Sequence, residues 1–373
     1  MTTDDPLSRA LQLHELSFEH ESAGNPDAAE AACREALALF EEMDGPVHPD
    51  VANLLHSLGA LLERQGRYPE AEALAARAVS IMDQVAGLVE GPEAGLILIR
   101  SLSLLGTTLR QQGRYREAEP VLRRAIERSE SLDEREALAI ALNDFGVVCK
   151  YSGKFDEGEQ AYRRALAIHL ELFGEMHPAV AVLYHNLGGL DHARGRYREA
   201  EEPARRAWEI RRELLGPDHP DALADACAYA GVLDGLEQYA ESRPIYQHAL
   251  EVWERLYGPV HFEVAATLHN LAAVEAAEGR LDEAERLYRR ALGIKRTLLG
   301  PEHPECALTA NNLGTMLREL GRDAEAEQQL RFALAIFEAA LEPGHPHIEL
   351  CRANLAELRA DFSPHSRPSA QVP

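Results

Sequence analysis

The heptapeptide GRYREAE occurs twice in this chain, at residues 113–119 and 195–201. It contains no nucleophile, metal-ligand pair or phosphate-binding loop. Aligning the chain on its glycine brings up related segments that begin at Gly24, Gly66, Gly113, Gly153, Gly195, Glu237, Gly279 and Gly321. Successive spacings are 42, 47, 40, 42, 42, 42 and 42 residues. A near-constant period of this length means stacked supersecondary units, each unable to bury its apolar face alone. The heptapeptide is then a structural joint used once per unit.

Each unit reads as two helices, A and B. In the last full unit, Ala310, Leu313, Gly314 and Leu317 recur at helical spacing and form one face of helix A. Gly321 ends that helix. Ala326, Leu330, Ala333, Leu334 and Phe337 then mark one side of helix B, and a Pro/Gly segment closes the unit. Three columns of small residues place the helix crossings. Seven positions before the anchor stand Ser17, Gly59, Gly106, Gly146, Gly188, Ala230, Ala272 and Gly314. Five after it stand Ala29, Ala71, Ala118, Gly158, Ala200, Ser242, Ala284 and Ala326. Twelve after it stands alanine without exception: Ala36, Ala78, Ala125, Ala165, Ala207, Ala249, Ala291 and Ala333. Side chains this small let helix backbones meet closely, and a larger one there overpacks the joint.

The pattern resembles the tetratricopeptide repeat over nearly the whole chain, through the helix-A pair Leu313-Gly314 and the helix-B small columns. The 42-residue period and the inter-unit segment LGPDHPD at 215–221 resemble the kinesin light chain variety. The resemblance implies an all-α fold, a right-handed α-solenoid superhelix of about eight helix pairs. The expected units are 7–45, 48–88, 91–131, 132–174, 177–216, 219–258, 261–300 and 303–342. A helix at 345–361 caps the last pair, so that residues 5–361 form a single solenoid, and the Pro- and Ser-rich tail 362–373 is expected to be disordered. Two departures stand out. Glu237 replaces the anchor glycine in the sixth unit, and the linkers after the second and third units lack His-Pro, which makes 86–135 a candidate bend.

Composition limits the function. The formal net charge of −24 disfavours nonspecific nucleic-acid binding, which needs a basic footprint. The N-terminus lacks a basic-then-apolar signal pattern, and no apolar run is long enough for a membrane. Five dispersed cysteines without a CxxC pair suggest free thiols in a reducing, cytoplasmic compartment. His48, His177, His219, His261, His303 and His345 form a ladder, five of them before proline. Equivalent residues of neighbouring units lie roughly 10 Å apart, too far to share a metal ion bound at about 2 Å. They are read as residues of the first helical turn. No Walker, Rossmann or nucleophile-elbow motif occurs. The expectation is therefore a chain that is not an enzyme, with no cofactor and no metal.

What remains is the helix-A surface, which lines the concave groove in the family the chain resembles. One column, pointing away from helix B, carries Leu104, Asp144, Asn186, Asn270, Asn312 and Asn354. Asparagine is a poor residue for a helix interior. Its amide can hold the backbone of an extended peptide, a role the resemblance assigns to Asn186, Asn270, Asn312 and, on the cap, Asn354. The same amide can also bond a neighbouring helix. The preceding column, with Asn143, His185, Cys227, His269 and Asn311, is expected at the groove edge. Arg100, Arg110 and Lys150 concentrate positive charge in the third and fourth units, where a mildly acidic segment would dock. The expected partner is a protein or peptide, not nucleic acid or membrane. The function expected is a non-enzymatic interaction scaffold, or alternatively a sensor subunit controlling a separate effector. The ends of the array also offer surfaces for self-assembly, which no feature of the sequence specifically indicates.

Overall fold

A computed structural model of the chain describes residues 5–86, 92–341 and 343–361. The linker residues 87–91, the end of the eighth unit at 342 and the tail 362–373 lie outside the described residues. Seventeen helices and no strand occur among the described residues. They pair as A and B: α1 (Pro6–Ser22) with α2 (Pro26–Asp44), α3 (Pro49–Arg64) with α4 (Tyr68–Gln84), α5 (Pro92–Gln111) with α6 (Tyr115–Ser131), and α7 (Arg135–Tyr151) with α8 (Phe155–Phe173). Then follow α9 (Pro178–Ala193), α10 (Tyr197–Leu215), α11 (Pro220–Gly235), α12 (Tyr239–Tyr257), α13 (Phe262–Ala277), α14 (Leu281–Leu299), α15 (Pro304–Glu319), α16 (Asp323–Ala340) and α17 (Pro346–Asp361). The helices cluster into two compact units, residues 1–194 with α1–α9 and residues 195–373 with α10–α17.

The joint has a definite geometry. At Gly113 the chain turns through φ 73°, the left-handed region that glycine enters without a Cβ penalty. The Arg114 N–H donates back to Leu109 O and the Gly113 N–H to Arg110 O, both at 2.9 Å, which satisfies the last carbonyls of α5. Glu237 takes the same turn with φ 61° although it is not glycine.

The other positions of the joint also have partners. Arg67, Arg114 and Arg322, each one residue after the anchor, bond the glutamate three residues on: Glu70, Glu117 and Glu325. Each also reaches a glutamate of the preceding pair, Glu30, Glu72 and Glu285, at 2.6–2.7 Å. Lys154 bonds Glu119 in the same way at 2.7 Å. The sequence R-x-x-E-x-E therefore makes an ionic rung to the pair before it and presents the acceptor for the pair after it. The bonds between pairs join half-buried arginines to half-buried glutamates, whereas acceptors within the joint such as Glu70 and Glu117 are exposed and contribute little to stability.

The small columns lie at the crossings. Every alanine of the third column is at most 1% exposed. A Cβ on Gly146 would stand 2.5 Å from Tyr162 Cε1, and one on Gly314 would stand 2.8 Å from Leu330 Cγ. The His ladder is a set of helix N-caps. Nδ1 of His48, His177, His219, His261, His303 and His345 accepts the backbone N–H two residues on, at 3.2–3.3 Å.

In the first unit, α5 lies along both α3 and α7, so its irregular linkers coincide with the closest packing between successive A helices. Two predictions follow from the crossings and the turns. Ala165→Leu should lower unfolding stability by about 1–3 kcal/mol through overpacking, read from the urea midpoint. Glu237→Gly should raise it by about 1 kcal/mol by releasing a left-handed non-glycine residue; an unchanged midpoint would refute the strain.

Candidate functional site

The A helices carry two polar columns that meet each other. The offset is one repeat plus one residue. His14 Nε2 lies 3.1 Å from Ser57 Oγ. Asn186 Nδ2 donates to Asn143 Oδ1 at 2.8 Å. In the second unit Asn312 Nδ2 faces His269 Nε2 at 3.3 Å, and Asn354 Nδ2 donates to Asn311 Oδ1 at 3.0 Å. The asparagines thus bridge successive A helices in a half-buried seam.

Asn312 is the most committed of them. Its amide also bonds the Tyr288 hydroxyl, and its Oδ1 accepts from Asn311 Nδ2 at 3.3 Å. The Asn270 amide bonds the Tyr246 hydroxyl, which donates to Asp234 Oδ2 at 2.8 Å. His269 is held by the same network, its Nδ1 lying 3.1 Å from Thr309 Oγ1. Accepting at Nε2 and donating at Nδ1 is the pattern of a neutral imidazole. Burial, with Lys295 nearby, lowers its pKa to about 4. Lys295 is itself buried at 2% exposure and bonds Glu305 at 2.6 Å. His185 lies half-buried on α9. Cys227 is half-buried, and burial pushes its thiol up to about 12, which leaves it inert.

The seam is interrupted in the first unit. Where most A helices carry a polar residue in this column, α5 carries Leu104, whose Cδ2 lies 2.9 Å from the Cβ position of Gly59 on α3; α11 carries Ala228 at the equivalent place. There a cavity of about 250 Å³ opens across α3, α5 and α7. His56 and Glu63 come from α3, and Ala137, Ile140 and Asp144 from α7. Ile99, Arg100, Ser103, Leu104 and Thr107 come from α5. Of the residues singled out from the sequence, the structure brings Arg100 and Asp144 together here. Arg110 stands beside them, its Nε 3.9 Å from Asp144 Oδ1. Lys150 is further along α7, its Nζ 3.0 Å from the Cβ position of Gly189. Burial lowers the Lys150 pKa.

The electrostatics of this cavity are uneven. Burial drives the Asp144 pKa up, against the pull of Arg110 and of the Thr107 hydroxyl, which donates to Asp144 Oδ2 at 2.6 Å. Burial, Arg100 and Arg64 lower the His56 pKa to about 4, and His56 Nδ1, sealed from solvent, has no hydrogen-bond partner among the described residues. Ile140 is 46% exposed, unusual for an isoleucine on an inner helix. Of the remaining A-face charges, Arg64 bonds Glu21 and Arg318 bonds Glu357. Arg100 is exposed and has no ion pair among the described residues. The cavity thus combines apolar walls with an unpaired Arg100 at its edge and an Asp144 engaged by Thr107 and Arg110. Sequence reasoning passed over Ile99, Thr107, Ala137 and Ile140. The available signals were a leucine in a polar column and an isoleucine on the exposed side of helix A.

One trio of possible metal ligands, Asp44, His48 and Asp50, meets at the α2–α3 corner among the described residues. His48 Nδ1 is already the acceptor for the Asp50 N–H at 3.3 Å, and both carboxylates are exposed. The trio serves as a helix start.

The tetratricopeptide-repeat family model matches residues 9–84, 97–169, 137–213, 222–297 and 263–339. The chain belongs to the tetratricopeptide-repeat family. No curated protein matches the sequence. Solved structures share the fold. The apo form of the quorum sensor NprR from B. thuringiensis aligns at TM-score 0.66 and 12% identity, over 89% of this chain and 88% of that one. A Rap protein complexed with Competence and Sporulation Factor aligns at 0.55 and 13%, over 95% of this chain and 98% of that one. A Podosopora anserina putative kinesin light chain with nearly identical TPR-like repeats aligns at 0.46 and 22%, over 53% of this chain and 93% of that one. No helix among the described residues is long and apolar enough to cross a membrane.

His56 and His269, both half-buried, make the stability of this tetratricopeptide-repeat chain pH-dependent. Unfolded, each titrates near 6.5; folded, each stays neutral to about pH 4. Between those values the unfolded state binds more protons. Their contribution is complete above about pH 6.5 and is lost as the pH falls toward 4, at about 1.4 kcal/mol per pH unit for each histidine. Urea titrations at pH 7 and pH 4.5 should show a smaller drop for His56→Gln or His269→Gln than for wild type. Equal drops would mean that neither imidazole is held neutral.

Proposed function

We propose that the chain is a non-enzymatic interaction module that binds a peptide or a segment of a partner protein on its A-helix face. The carrying observation is the cavity across α3, α5 and α7, where the polar seam gives way to Leu104, Ile99 and Ile140 with Arg100 at the rim. Affinity comes from an anchor side chain buried in the cavity. In the same compact unit Asn186 adds hydrogen bonds beyond its bond to Asn143, and Asn143 and His185 hold the face in place; in the second unit by itself Asn270 and Asn354 offer amides of the same kind, with His269, Asn311 and Asn312 holding that face. Five free thiols support a reducing, cytoplasmic setting.

A second reading is a sensor subunit that responds to a peptide and controls a separate effector. It is favoured by two solved neighbours, NprR in complex with its cognate peptide NprX and the Rap protein complexed with Competence and Sporulation Factor. Here the close packing of α5 against α3 and α7 would respond to the occupant. Small-angle scattering before and after addition of a bound peptide separates the readings, since a passive scaffold keeps its profile.

The binding face is tested by affinity capture from host lysate. Ile140→Asp places a charge in the cavity wall and should lower recovery of a captured partner at least about tenfold. The circular dichroism spectrum should stay that of wild type. Recovery equal to wild type would move the binding surface to the B helices.

A further inference from the structure

The cavity across α3, α5 and α7 is built in two tiers. Each helix contributes residues seven positions apart: His56 and Glu63 from α3, Arg100 and Thr107 from α5, Ala137 and Asp144 from α7. Seven helical residues separate the tiers by roughly 10 Å. The first tier is cationic, with Arg100 exposed and without an ion pair among the described residues. The second tier offers acceptors, the carboxyls of Glu63 and Asp144. Between them Ser103, Leu104 and Ile140 form a mostly apolar middle.

Size narrows the occupant. About 250 Å³ lies below the roughly 300–1,000 Å³ of small-molecule sites and suits one anchor side chain with its neighbouring backbone. The roughly 10 Å between tiers equals about three residues of extended chain. Polarity narrows it further. A carboxylate at the first tier pairs with Arg100, and its neighbour at the second tier must donate hydrogen bonds.

We infer that this cavity takes a linear peptide segment in which a medium aliphatic side chain sits within three residues of an Asp, Glu or C-terminal carboxylate. The aliphatic group enters between Leu104 and Ile140. The carboxylate faces Arg100, and a backbone amide or basic side chain on the other flank faces Glu63 and Asp144. This assignment rests on the reading of the A-helix face as the binding surface and adds the chemistry and direction of what it binds. Net acidity of the chain does not oppose it, because the other A-face arginines, Arg64 and Arg318, are already paired with Glu21 and Glu357.

The test is selection of a random linear peptide library, displayed on phage, against the full chain and two variants, Arg100→Glu and Ile140→Asp. Peptides enriched by wild type should carry an acidic residue within three positions of Leu, Ile, Val or Met. A synthetic consensus peptide should bind Arg100→Glu at least about fivefold more weakly, and its affinity should fall with added salt. The Arg100→Glu selection should exchange the acidic residue for Lys or Arg. Peptides lost by Ile140→Asp but indifferent to Arg100→Glu would overturn the assigned chemistry and leave the binding face standing. Peptides that bind Ile140→Asp as well as wild type, or no enrichment by wild type over that variant, would overturn both. Arg100 is exposed, so its variant folds, and its loss of binding cannot be a loss of structure.

Discussion

The close crossing of helix A on helix B is the contact on which the rest depends. At the crossings a helix-A glycine such as Gly106, Gly146 or Gly314 lies against helix B, where Leu122, Tyr162 and Leu330 fill the space a side chain would otherwise take. Interiors packed at this density do not accept an extra methyl without moving a neighbour. The pair is therefore a rigid block. Because the block is rigid, one A helix meets the next at a repeating offset, and polar groups can be placed to bond across it.

Two sets of bonds exploit that offset. Half-buried Arg-Glu rungs run along the joints, from Arg67, Arg114 and Arg322 to the preceding pair. Amide and imidazole contacts run along the A helices, from Asn143 to Asn186 and from His269 to Asn312. Both sets change where the sequence is irregular. In the sixth pair the rung's glutamate is replaced by Arg243, and the charges trade places: Arg243 Nε now bonds the buried Glu275 at 3.0 Å. In the third pair the seam's polar residue is Leu104, and no exchange restores the bond. The first change is compensated inside the chain and the second leaves a cavity.

The fold was largely legible because periodicity reports on burial, and burial repeats with the unit. The alanine column, the anchor glycines and the start of each A helix at its His follow from residue types that have few other uses. The destination of the asparagines was not legible. Their alternatives, a peptide backbone or a neighbouring helix, use the same donor and acceptor. The choice depends on an axial offset of one residue between A helices, which no single helix encodes. The cavity was half legible. Arg100 and Asp144 stood out by charge, but Ile99 and Ile140 read as ordinary apolar residues of an amphipathic helix. Only the packing of α5 between α3 and α7 shows that Ile140 remains exposed while Ile99 is buried.

The broken seam is where a binding function costs the fold least. A seam position filled by Asn312 has its amide committed to His269 and Tyr288, and a ligand would have to displace those bonds. Leu104 has no such bonds to lose. His56 in the same pocket lacks a partner at Nδ1, and a buried polar atom without one is costly to the free protein. Local stability and recognition are opposed in the third pair in a way they are not in the others. The third pair differs in this from the sixth, where Arg243 and Glu275 exchange charges and an ionic contact is kept.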